Sequence, residues 1–148
     1  MGNLYLILSA FVVGIMVVIQ GGLNSRLGVM LNNSLLATSV ALTMSASITV
    51  MAAITTIKQF PTVQQMKLIP SHLWFTGGVL SFIAVSLFYY IIPRLGLSTA
   101  VTFGLAGQLL FAAIAGHFGW FNLPLEPISI KKIIGLLIML LGVILIKY

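Results

Sequence analysis

Cysteine is missing from this chain of 148 residues, and Glu126 is its only acidic residue. The first absence excludes disulfides, thiolate metal sites and thiol catalysis, and it leaves the redox compartment unread. The second leaves a hydrolytic triad without an acid to orient its histidine. Charge of either sign is scarce, at 5% of residues, where a soluble domain carries roughly a quarter. No water-facing surface can be made from so little charge. With 60% of residues hydrophobic, the solvent for this chain is a bilayer.

Seven Lys+Arg against one acid give a net charge of +6. The cations stand mostly at the ends of apolar runs, without the clustering that a nucleic-acid-binding face needs. They read as anchors in lipid headgroups. No cleavable signal is expected, because "MGN" carries no positive side chain and the first apolar run is too long. Leu6 stands where a myristoylation signal wants Ser or Thr.

Five apolar segments are separable, at about 4–27, 34–57, 74–92, 98–117 and 131–147. A spanning helix needs about 20 residues, so the first four fit comfortably. The fifth is short and needs Lys131, Lys132 and Lys147 to snorkel. Asn32, Asn33 and Ser34 are suited to cap the second span, and Ser129 to cap the fifth. Pro61 and Pro70 punctuate the second connection, Pro93 is expected to end the third span, and "PRLG" to make a tight turn. Pro124 and Pro127 keep the fourth connection from becoming helical. Tyr5, Trp74, Phe75, Trp120, Phe121 and Tyr148 fall near segment ends, as an aromatic belt would. The expectation is an all-α membrane protein, a single five-helix domain over 1–148.

An odd number of spans puts the termini on opposite sides. The N-terminal side then holds Lys58, Lys67, Lys131 and Lys132, and the other side Arg26, Arg94 and Lys147. Four against three gives almost no instruction about orientation, since Lys/Arg bias sets topology. Either an unseen determinant decides, or both orientations are made.

In the fourth span, Ala100, Gly104, Gln108, Ala112 and Gly116 recur every fourth residue and share a face. Such a groove of small residues admits a neighbouring helix. Gln108 is its only amide, either glue between helices or a ligand-facing group. Gly135 and Gly142 in the fifth span are seven apart, for packing within the chain or for a crossing between subunits. Thr38, Ser39, Thr43, Ser45 and Ser47 of the second span are read mainly as packing positions. Their hydroxyls have the carbonyl four residues back as a partner. The third span offers Gly77, Ser81 and Tyr89. In "VVIQGGLNSRLG", Gln20 and Asn24 share a face, while Arg26 lies about 200° from Asn24 and snorkels. Gly21 and Gly22 weaken that helix and invite a bend.

No Asp, Glu or Lys falls inside a spanning core, so proton relays of the usual intramembrane kind lack a carboxylate. His117 is the nearest titratable group, and its end-of-helix position favours a structural role. An enzyme is not expected, nor a metal or cofactor.

"IQGGLNSRLG", "FTGGVLSFIAVSLFYYIIPRLG", "AGQLLFAAIAGHFG" and "KKIIGLLIMLLGVILI" resemble, over nearly the whole chain, the YdcZ-like proteins. These are short bacterial five-helix members of the drug/metabolite transporter superfamily. The resemblance implies one half of an inverted-repeat transporter, completed by an antiparallel partner that is a second copy or a paired homologue. It likens Gly135 and Gly142 to the dimerising glycine pair of small multidrug resistance proteins. Two departures stand out. Gly116 occupies a position where related chains carry an acid, and the first span lacks the proton-coupling glutamate of small multidrug resistance proteins.

The reading is therefore a multi-pass protein of the bacterial inner membrane that moves a small solute as an antiparallel dimer. Gln20, Asn24, Ser81, Tyr89 and Gln108 would line a neutral polar site between protomers near the midplane, and Gly135 and Gly142 would support the dimer. The alternatives are a non-transporting assembly subunit and a proton-coupled multidrug exporter.

Overall fold

The computed structural model describes residues 2–122 and 124–147. Six α-helices follow one another: α1 Gly2–Met30, α2 Ser34–Thr56, α3 Val63–Lys67, α4 Ser71–Leu95, α5 Leu97–His117 and α6 Ile130–Lys147, with a 3-10 turn at Trp120–Asn122. No strand occurs among the described residues. Helices α1, α2, α4 and α5 are long and apolar enough to cross a membrane, by length and composition. Helix α6 has 18 residues, three of them lysines at its ends. At 1.5 Å per residue it measures about 27 Å, slightly less than a hydrocarbon core of about 30 Å. Two compact units divide the chain, Met1–Arg94 and Leu95–Tyr148.

In the first unit, α1 and α2 form a hairpin. Asn33 sits just before α2, where its side-chain oxygen accepts from Leu35 N at 2.9 Å and Leu36 N at 3.3 Å. Those bonds satisfy two backbone donors that a helix start leaves open. The hairpin closes tightly because residue 28 has no side chain: a Cβ on Gly28 would lie 3.3 Å from Ser34 Cα. Ala37 and Thr38 are buried beside it. The hydroxyls of Thr38, Ser39 and Ser47 donate to the carbonyls of Ser34, Leu35 and Thr43, each 2.9 Å away and one turn back. These polar groups thus carry their own partners into an apolar setting.

Three features of this unit differ from the sequence expectation. Gly21 and Gly22 do not break or bend α1 out of its helix, which is continuous from Gly2 to Met30. Gly21 instead marks a close approach: a Cβ there would meet Phe88 Cε1 of α4 at 3.1 Å and Ile92 Cδ1 at 3.6 Å. Pro93 does not end α4, which runs on to Leu95. Pro93 has no N–H to donate to the carbonyl of Tyr89, and the helix carries on for only two residues beyond it. The second connection also holds a helix of its own, α3. Thr62 and Gln65 form a reciprocal capping box at its start, with Thr62 N donating to Gln65 Oε1 at 2.8 Å.

In the second unit α5 packs against α6. The buried positions of α5 are Ala100, Ala106 and Ala113. Of the expected small-residue face, Ala100 is buried, but Gln108 and Ala112 are exposed. Gly104 and Gly116 of that face are half-buried. His117 Nδ1 accepts from Ile128 N at 3.2 Å, tying the connection to the end of α5. Glu126 N donates to Gly116 O at 2.8 Å, and its carboxylate pairs with Lys132 at 3.0 Å. Ser129 Oγ accepts from Lys132 N at 3.2 Å, capping α6. Trp120 and Phe121 stand around Phe111, with ring centroids 5.9 and 6.5 Å away. With Tyr5, Trp74 and Phe75 they are exposed at segment ends, where an interfacial belt belongs. Tyr148 lies outside the described residues.

Each unit exposes many large apolar side chains. No more than 17% of the best window of any candidate span is buried. Water cannot be the solvent for such a surface.

Gly96 separates α4 from α5 by one residue and has φ 85° and ψ 152°. This region of backbone space is essentially restricted to glycine. Of the expected turn at "PRLG", Pro93, Arg94 and Leu95 are helical and only Gly96 leaves the helix.

Candidate polar site

Two of the expected site residues meet. Asn24 lies on α1 and Tyr89 on α4, and the Asn24 Nδ2 amide donates to the Tyr89 hydroxyl at 2.8 Å. Tyr89 is 2% exposed and Asn24 is half-buried. The approach of α4 onto Gly21, one turn before Asn24, brings the amide within reach of the phenol. In an apolar setting a polar side chain without a partner is costly. The contact satisfies one amide donor and leaves the phenolic hydrogen available as a donor.

Neither Gln20 nor Ser81, on the same two helices, joins that hydrogen bond. Gln20 is exposed on α1, one turn before Asn24, and Ser81 is exposed on α4, eight residues before Tyr89. Gln108 is exposed on α5, in the second unit. Depth along each helix follows from counting. Asn24 and Tyr89 are each six residues from the end of their helix, at Met30 and Leu95. Six residues is about 9 Å. Ser81 and Gln108 lie near the middle of α4 and α5, and Gln20 lies deeper than Asn24.

Gly135 is exposed and Gly142 half-buried. A Cβ on either would meet nothing within 4 Å. Neither glycine is therefore used for packing within the second unit.

Sequence reasoning missed Ser86. It is buried on α4, one turn before Tyr89, and its hydroxyl has no hydrogen-bond partner. Its alternation with apolar neighbours gave no signal of burial. No group of three or more His, Cys, Asp or Glu that could hold a metal occurs among the described residues.

No curated protein and no solved structure matches this chain. A family model does match, over residues 5–145, with the description "Putative inner membrane exporter, YdcZ". That match covers all but the first four and last three residues, and it agrees with four helices of membrane-crossing length. The chain is a membrane protein and belongs to the YdcZ family.

Proposed function

We propose that this chain exports a small polar solute across a bacterial inner membrane as one half of an antiparallel dimer. The observation that carries the reading is the Asn24–Tyr89 hydrogen bond, a cross-helix polar contact inside a family described as exporters. On the same two helices, Gln20 and Ser81 provide further neutral hydrogen-bonding groups. Such a set suits a neutral or weakly charged solute, which meets donors and acceptors but no fixed charge. Discontinuity at the site is not required, since inverted halves can rock around a shared cavity.

Helix α6 serves as the fifth span, with its lysines reaching the headgroups. Five spans leave positive charge split four against three between the sides, which favours insertion in both orientations. The open faces of Gly135 and Gly142 then receive the same helix of an inverted partner, by the close approach that small residues permit. A second copy of the chain is the simplest partner of this kind.

Transport of a panel of labelled small polar solutes into or out of proteoliposomes tests the proposal. Flux of at least one solute should exceed that of empty vesicles and fall in Tyr89→Phe at equal folded protein. Absence of flux for the whole panel, with the protein folded and dimeric, would favour a non-transporting assembly subunit.

A further inference from the structure

An open cavity of about 550 Å³ lies where α1 ends, α2 begins and α4 ends. Asn32, Asn33, Ser34, Tyr89, Tyr90 and Arg94 contribute to its lining. All belong to the first unit. Arg94 is the only ionised side chain in that lining. Its guanidinium stacks over the Tyr90 ring, 3.4 Å from the centroid, and Nη1 donates to Tyr90 O at 2.6 Å. A guanidinium has five N–H donors in a rigid fork. The stack and the backbone bond hold that fork in place while most of its donors stay uncommitted.

The counter-charge for Arg94 cannot come from another side chain. Glu126 is the only acid in the sequence, and it pairs with Lys132 in the other unit. The remaining lining adds no negative group. Asn33 commits its carbonyl oxygen to the start of α2, which leaves its NH2 group as a donor. The dipole of α2, a helix of 23 residues, adds partial positive charge at the same end. Cavity, fixed cation and donors therefore select an anion. The position selects its kind: Arg94 is one residue from the end of α4, and the ends of spanning helices lie at headgroup level.

We propose that this cavity binds a phosphate group, held by Arg94 and by the amides of Asn32 and Asn33. Arginine suits phosphate because its donors match two oxygens at once. Two sources share this chemistry, the phosphodiester of an anionic phospholipid headgroup and free phosphate. Tyr89 lines both this cavity and the proposed solute path, but the phosphate assignment rests on Arg94, Asn32 and Asn33 and does not depend on transport.

Thermal unfolding of the purified full chain in neutral detergent tests the assignment. The probes are phosphatidylglycerol, phosphatidylcholine, and inorganic phosphate at ionic strength matched with chloride. Wild type should be stabilised by about 5 °C at saturating phosphatidylglycerol or phosphate, given the size of ligand-linked shifts. Stabilisation by phosphatidylglycerol and not by inorganic phosphate identifies the headgroup as the source; stabilisation by inorganic phosphate identifies the free ion. Arg94→Gln should weaken the response about tenfold in ligand concentration, as loss of a charged hydrogen bond predicts. Arg94→Lys keeps the charge without the fork and should fall between the two, so a misfolded Arg94→Gln leaves the test intact. Arg26→Gln, outside the cavity lining, should respond as wild type. Three results would overturn the site: no stabilisation by either anion, equal stabilisation by phosphatidylcholine, or an Arg94→Lys response identical to wild type.

Discussion

The amide of Asn24 and the hydroxyl of Tyr89 are 65 residues apart in sequence and 2.8 Å apart in space. Their bond joins α1 to α4 and is the polar contact on which the proposed transport site rests. Hydrogen bonds between membrane helices contribute about 0.6 kcal/mol on average and about 1.7 at most. Asn24→Ala and Tyr89→Phe should each destabilise the protein, and the double variant should lose less than the sum. The expected coupling from a double-mutant cycle is about 0.5–1.7 kcal/mol. Strict additivity would mean that the two groups do not interact in the folded protein.

Gln108 separates a lining role from a packing role. Because it is exposed on α5 within the chain, Gln108→Ala should leave thermal stability within about 0.5 kcal/mol of wild type, as for surface positions. Flux per folded protein should fall. A loss of stability with unchanged flux would make the amide glue at a helix interface and remove it from the site.

Gly96 should tolerate substitution poorly. At φ 85° and ψ 152°, an alanine carries a backbone strain of about 1–3 kcal/mol. Gly96→Ala should therefore lower the unfolding temperature. Gly77→Ala, on α4 with nothing within 4 Å of the added Cβ, serves as the control and should change stability little. Equal behaviour of the two would show that the turn adopts another conformation.

Gly135 and Gly142 are tested by bulk. A leucine at either position would keep inverted α6 helices from approaching closely. Gly135→Leu and Gly142→Leu should shift the protein from dimer toward monomer in crosslinking and size-exclusion experiments. Within the second unit both positions face open space, so each variant should still fold. Unchanged dimer affinity in both would place the interface elsewhere.

Local features were the most legible in the sequence. Asn33 and Ser129 were expected as caps and do cap, because a cap depends on a side chain and the few backbone groups beside it. The α3 helix carries an equally local signal, Thr62 and Gln65 in the spacing of a capping box, but two flanking prolines masked it as a plain connection. Helical spacing said that Gln20 and Asn24 share a face; it could not say that only Asn24 would meet a partner. The glycine at 21 is informative for the same reason. Its sequence signal, local weakness, is outweighed by the neighbour it admits, Phe88, which spacing along one helix cannot reveal. The cavity at Arg94 was out of reach entirely, since it joins the α1–α2 connection to the end of α4, which lies far along the chain.

The central claim is that the working transporter contains this chain in both orientations. Three lysines added to the α2–α4 connection should fix one orientation, and three added after Tyr148 should fix the other, because the native bias is only four against three. Neither addition lies within a candidate span or at the Asn24–Tyr89 contact. Labelling of a terminal tag should find wild type on both sides of the membrane and each variant on one side. Transport of a solute carried by wild type should be lost in each variant alone and return when the two are expressed together. Full transport by either variant alone would contradict the antiparallel homodimer.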